Sequence, residues 1–213
     1  MTLTNPETNS AAGGKPVKFL IISGNPKKDG LCKSITEEIE RGARQGGADV
    51  EIVTTEKITR CRVCGDGWGT CRSGNICAFG EDGYNELQEK VKNADLLCLI
   101  TPVYWGETAE GLKAFMDRLR RCEFAMFGGN GILAGKQTLL VASPGGSGNG
   151  LLTCLQQMER FCQHTGAVIF DYIGVNRWNR VYKKEAAYNA ALSMAKGVKN
   201  GDNAEYSPQT AQP

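Results

Sequence analysis

The run Leu96 to Thr101, LLCLIT, has no polar side chain until its last position. A strand with one face in water alternates apolar and polar residues. A continuous apolar run instead means that both faces are covered, as in a parallel sheet with helices on either side. Val17 to Ile22, broken only by Lys18, and Gln137 to Ala142 are runs of the same kind. Asp49 to Thr54 and Ala167 to Val175 complete a set of five strands. Segments of helical period lie between and after them: Leu31 to about Gln45, Tyr84 to Lys92, a helix from Thr108, Leu151 to His164, and Lys183 to Lys199. On the helix from Thr108, Leu112, Phe115, Met116 and Leu119 fall at i, i+3, i+4 and i+7 and make one buried stripe. Strand and helix alternating five times predict an α/β fold, a doubly wound five-stranded parallel sheet with order 2-1-3-4-5.

A chain of 213 residues accommodates one domain. At that size about 70% of the unfolded chain's surface is buried, so folding needs no disulfides. The expected domain runs from 17 to 199, carries a Cys-rich loop insertion at 57–80, and is flanked by mobile tails at 1–16 and 200–213. The net charge of +2, with acids and bases interspersed, does not indicate a nucleic-acid surface. No run approaches the ~18 apolar residues of a membrane span. The N-terminal stretch lacks the basic and apolar regions of a secretory signal, and nine cysteines in such a chain point to a reducing, cytoplasmic setting.

In a doubly wound sheet, ligands bind at the carboxyl ends of the strands. The loop after the first strand, GNPKKDG, leads straight into a helix, where free N–H groups and the helix dipole favour an anion, and Lys27 and Lys28 add charge. It is not a P-loop, because five residues separate Gly24 from Gly30 and Leu31 stands where the lysine belongs. Nor is it a dinucleotide fingerprint, since Gly24 has no glycine two positions on. A flavodoxin-like cradle for FMN remains, beside the plainer reading of a solvent-exposed turn. Two further loops leave the same edge. Pro102 to Glu107 brings Tyr104 and Trp105, whose rings can flank a planar ligand or simply cap the core. Ser143 to Gly150 carries four glycines in six residues, permitting close backbone approach or serving as a flexible turn. No Ser/His/Asp constellation for nucleophilic catalysis is visible.

These segments resemble a known family, the flavodoxin-like NAD(P)H-dependent FMN reductases and the iron-sulfur flavoproteins related to them, over about Val17 to Val175. The resemblance rests on GNPKKDGLCKS, TPVYWGETAEGLKAFMDR and the cysteine segment CRVCGDGWGTCRSGNIC running into GEDGY. The second is specific, since family members carry Pro-x-Tyr-Trp followed by Leu-Lys-x-Phe-x-Asp-Arg. The resemblance implies FMN, with Ser23, Asn25, Lys27, Gly30, Leu31 and Cys32 around its phosphate. It also implies Pro102, Val103, Tyr104, Trp105 and Gly106 along the ribityl chain and ring, and Ser143, Gly145, Gly146 and Gly148 beside the ring. Asn25 and Cys32 replace the family's usual Ser and Thr, which shifts phosphate binding toward backbone N–H groups and Lys27.

Cys61, Cys64, Cys71 and Cys77 follow the pattern C-x2-C-x6-C-x5-C on a glycine-rich loop. Soft thiolates of this kind hold an Fe–S cluster or zinc. Iron-sulfur flavoproteins have a more compact spacing, and four metal-free thiols on a structural loop is the remaining alternative. Asp117 and Arg118 read as a structural ion pair, and His164, the sole histidine, as a helix-end contact. The leading expectation is an FMN-dependent oxidoreductase passing electrons from NAD(P)H to a small-molecule or redox-protein acceptor. The alternatives are an iron-sulfur electron carrier or small-ring-substrate dehydrogenase, and a flavin-free structural or zinc-binding module. The resemblance further implies a homodimer or homotetramer; the basic, aromatic stretch Arg177 to Tyr182 reads as such a contact, as the pocket entrance or as an exposed connector.

Overall fold

A computed structural model describes residues 15–66, 69–123 and 131–200. The segments read as mobile tails, 1–16 and 200–213, fall almost wholly outside these residues. The elements in order are β1 (Lys18–Ser23), α1 (Gly30–Gln45), β2 (Asp49–Thr54), α2 (Gly69–Gly74) and a single 3-10 turn, Gly80–Asp82. Then come α3 (Tyr84–Asn93), β3 (Leu96–Tyr104), β4 (Glu107–Thr108), α4 (Glu110–Glu123), β5 (Gln137–Pro144), α5 (Leu151–Thr165), β6 (Val168–Gly174) and α6 (Arg180–Asn200).

The sheet order is β2-β1-β3-β5-β6 with every neighbour parallel, while β4 pairs antiparallel with the end of β3. Without the two-residue β4, this is the expected 2-1-3-4-5. The continuous apolar runs have the cause inferred from them. Along β3, Leu96, Cys98 and Ile100 point into one core with Ile35 and Ile39 of α1 and Ala191 and Met194 of α6. Leu97 and Leu99 point into the other, with Val91, Phe115, Leu119 and Met158 of α3, α4 and α5. Phe19 and Ile21 divide from Leu20 and Ile22 in the same way on β1. On the outer flank, β5 and β6 slip by one position: Thr138 pairs with Ile169 but Leu139 with Asp171, so Phe170 bulges out of register.

The sequence reading placed a helix start at Thr108. That residue belongs instead to β4, and α4 begins at Glu110. The α1–α6 contact is close enough to need a glycine. A Cβ on Gly42 would lie 2.1 Å from the Tyr188 carbonyl oxygen. Gly42→Ala gains about 1 kcal/mol in helix propensity, but a backbone oxygen has no rotamer by which to escape. The helices must separate, so a net loss of about 1–3 kcal/mol is expected in urea unfolding.

Candidate functional site

The loop after β1 is braced by its own asparagine. Ser23 is buried at the end of β1, and the Gly24 N–H donates to the Ile100 carbonyl at 2.8 Å. Asn25 Oδ1 accepts from the Lys27 N–H at 3.2 Å, and its Nδ2 donates to the carbonyls of Lys27 (2.8 Å) and Asp29 (3.4 Å). This is an Asx-type turn, in which the side chain replaces the backbone partners that a tight loop lacks. Asp29 at the N-cap of α1 makes no side-chain cap bond, and the first turn has no acidic residue. The opening N–H groups of α1 therefore face outward beside two lysines, as anion binding requires. Cys32 contributes nothing further from its side chain. It is packed in the α1–α6 core, and burial pushes its thiol up to about 12.

At the end of β3 the chain reverses in a two-residue hairpin. Tyr104 pairs with Glu107, and the turn residues Trp105 (φ +54°) and Gly106 (φ +84°) are both left-handed. Two positive φ values in a row make a type I′ turn, which favours Asn or Gly at its first position. A tryptophan there carries strain of about 1–2 kcal/mol, and its indole is fully exposed. Thr108 locks the turn in place, its N–H and Oγ1 both donating to Gln157 Oε1 of α5 at 3.0 and 2.9 Å. The Ala109 N–H donates to Thr101 Oγ1 at 2.9 Å. Sequence reasoning missed Gln157, because a positioning glutamine on an exposed helix face carries no local signal.

The loop after β5 meets this hairpin backbone to backbone. A Cβ on Gly150 (φ +77°) would lie 2.6 Å from Gly106 Cα and 2.8 Å from Gly106 N. Together the two loops line an open cleft of about 600 Å³ at the carboxyl ends of β3 and β5. Its walls include Val103, Trp105, Gly106, Pro144, Gly145, Gly146 and Thr153. A Cβ at Gly145 or Gly146 would meet nothing within 4 Å, so that wall faces open space. Gly148 instead approaches the loop after β6, 3.2 Å from Trp178 Cζ3 as measured from a built Cβ.

Of the residues singled out from sequence, Val103, Trp105, Gly106, Gly145 and Gly146 thus converge on one cleft. Pro102 pairs with Ser143 just beneath it, and Tyr104 stands beside it, partly exposed. The β1 loop shares the same sheet edge, one strand over, but does not line the cleft. Gly30 and Leu31 line a separate groove with Arg180 and Lys184.

The cysteine segment packs against α4 rather than over the cleft. Its base is clamped by Arg118, whose side chain is 1% exposed. The guanidinium donates to Asp82 Oδ2 (2.7 Å), the Thr59 carbonyl (3.1 Å), the Phe79 carbonyl (2.8 Å) and Cys77 Sγ (3.3 Å), and it lies over the Tyr84 ring. Asp82 Oδ2 also accepts from the Thr59 N–H and hydroxyl, both at 2.8 Å. Burial would raise the Asp82 carboxyl. The hydrogen bonds from Arg118 and Thr59 outweigh it and hold the group at about 2. The expected Asp117–Arg118 pair does not form, because adjacent helical residues point about 100° apart. Asp117 pairs one turn back with Lys113.

Burial raises the Cys64 thiol, and Cys71, Cys61 and Cys77 raise it further, so those three lie within electrostatic reach of Cys64. Four soft donors are the right chemistry for a cluster or zinc. Their arrangement does not fit either. Cys71 is turned into the core, Cys77 accepts from Arg118, and Cys61 lies against the Arg62 carbonyl at 3.8 Å. Among the described residues no three His, Cys, Asp or Glu side chains are placed to hold a metal ion.

Comparison with known proteins agrees with the geometry. The family model described as NADPH-dependent FMN reductase matches residues 17–179. The iron-sulfur flavoprotein of Methanosarcina thermophila is 33% identical over 115 residues, which are 52% of this chain and 58% of that protein. An iron-sulfur flavoprotein of Archaeoglobus fulgidus is 26% identical over 167 residues, covering 75% of this chain and 81% of that one. Most of the curated relatives are matched over only about half their length. Among solved structures, an NADH:FMN oxidoreductase aligns with TM-score 0.60 at 17% identity, covering 84% of this chain and 88% of that one. An NAD(P)H:quinone oxidoreductase from Methanothermobacter marburgensis aligns with TM-score 0.59 at 16% identity, over 87% and 97%. These likenesses establish the fold, and the family match spans all three loops. The chain belongs to the NADPH-dependent FMN reductase family.

Proposed function

We propose that this protein is an FMN-dependent oxidoreductase drawing electrons from NAD(P)H and passing them to a small-molecule or redox-protein acceptor. The observation that carries the reading is the Gly106–Gly150 junction, which joins two loops into one cleft with a strained, exposed Trp105 on its rim. The residues present fit FMN. The outward N–H groups of α1, with Lys27, suit a dianionic phosphate. Val103 and Gly106 offer a wall for the ribityl chain, and Trp105 an aromatic face for the ring. The bare backbone at Gly145 and Gly146 permits close approach beside it. Bound FMN supplies a site that takes up hydride and releases electrons in pairs or singly. The chain's part would be to hold the ring beside Trp105 and to leave the backbone at Gly145 and Gly146 open to negative charge developing on it. No side chain acts as nucleophile or general base.

A second reading is suggested by four cysteines in one segment and by the names of the relatives. In it the protein works as an electron carrier, a reading that the arrangement of the cysteine segment described above does not itself support.

Anaerobic purification tests both. Quenching of flavin fluorescence on binding, followed by bleaching of the yellow colour with NADPH or NADH, is expected. A colourless protein that takes up no FMN overturns the proposal in favour of a flavin-free module. Stoichiometric iron and acid-labile sulfide in the purified protein would support the carrier reading, and their absence together with full flavin reduction would remove it.

A further inference from the structure

A second cavity, of about 470 Å³, lies between α4 and α5 and meets the cleft at Trp105, Gly106 and Thr153, which line both. Helical spacing builds its walls. Lys113, Asp117 and Arg120 follow at i, i+4 and i+7 on α4, and Thr153, Arg160 and His164 at i, i+7 and i+11 on α5.

Charge is unevenly spread along this groove. Lys113 is neutralised by Asp117, and Glu107 stands at the Trp105 end. Arg120 and Arg160, on opposite walls, make no ion pair among the described residues, and the imidazole of His164 adds a donor beyond them. From Thr153, Arg160 lies about 10 Å and His164 about 16 Å along the helix axis. The groove therefore starts at an aromatic platform beside the cleft and ends between two uncompensated guanidiniums. A ligand that fits has a planar ring at one end and phosphates at the other.

We infer that the α4–α5 groove binds the phosphates of the nicotinamide dinucleotide, with Arg120 and Arg160 gripping them from its two walls while the nicotinamide reaches the cleft past Trp105. This rests on the NAD(P)H-dependent reading above. Guanidiniums suit the task because their planar fork meets phosphate oxygens bidentately. Two phosphate sources are possible on one dinucleotide, the pyrophosphate and the 2′-phosphate, and probes distinguish them.

The experiment is calorimetric titration of ADP, and separately of adenosine 2′,5′-bisphosphate, into the FMN-loaded full chain and into Arg120→Gln, Arg160→Gln and the double variant. Each substitution is expected to weaken binding about tenfold, as loss of one charge-assisted pair does, with Arg→Lys at either position restoring part of it. FMN affinity, read by fluorescence, is expected to stay within twofold in all variants. Loss for both probes places the pyrophosphate in the groove. Loss for the bisphosphate alone places the 2′-phosphate there. Unchanged binding of both probes in the double variant overturns the inference while leaving flavin binding intact. A change in oligomeric mass with unchanged probe binding also overturns it, by assigning the groove to a contact between copies. Failure of the wild-type chain to bind FMN would instead sink the underlying reading, and this inference with it.

Discussion

Arg118→Ala is expected to lower stability by about 3–5 kcal/mol, the usual penalty for stripping one partner from a buried ion pair. For a chain of this size that is a fall in Tm of order 10 °C. The side chain does more than neutralise Asp82. It also caps the Thr59 and Phe79 carbonyls, so its removal strips two backbone acceptors of their donor and leaves the Asp82 carboxylate with only the Thr59 N–H and hydroxyl. Lysine should rescue little, because a single ammonium cannot reproduce a fork that reaches four acceptors. The acid limb of the stability profile provides a second readout. Asp82 is depressed to about 2 in the folded chain, against about 3.9 when unfolded. Its contribution, roughly 2 kcal/mol, is complete above the unfolded value and is lost as pH falls from ~4 toward ~2. Urea midpoints across that window should steepen with acid in the wild type and flatten in Asp82→Asn. An Arg118→Ala protein with an unchanged midpoint would mean that the clamp does not hold the cysteine segment to α4.

Gly150→Ala is the substitution expected to damage the cleft most. It places a side chain at φ +77° and drives a Cβ to 2.6 Å from Gly106 Cα, backbone against backbone. The two loops must part, with a stability loss of about 1–3 kcal/mol, and FMN affinity should fall at least about tenfold. Gly145→Ala is the informative comparison. A Cβ there meets nothing within 4 Å, so stability should stay within about 0.5 kcal/mol. Equal destabilisation by the two alanines would show that loop flexibility, rather than the junction, sets the geometry.

The sheet was legible because its cause is local. A strand covered on both faces must be apolar along its buried length, and LLCLI, FLII and LLVA say so residue by residue. The meeting of the loops after β3 and β5 then followed from topology, while the loop after β1 lines a separate groove. What escaped depends on contacts that no window of sequence contains. The β4 hairpin is two residues long and turns on a tryptophan where turn chemistry calls for Asn or Gly. Arg118 finds its carboxylate thirty-six positions upstream, while the neighbour beside it in sequence turns to Lys113. The thiol spacing identified four donors of the right chemistry. It could not reveal that α2 rolls Cys71 into the core.

The slipped register between β5 and β6 has a consequence for behaviour at high concentration. An open sheet presents two unpaired edges, and a straight outer strand is a template on which another chain can lay itself down. Here Phe170 buckles one edge out of line, and exposed Asp49 and Glu51, the latter paired with Lys90, stand along the other, where Arg44 also donates to the Val50 carbonyl. One margin is bent and the other carries charged side chains, so growth of the sheet from molecule to molecule is discouraged on both sides.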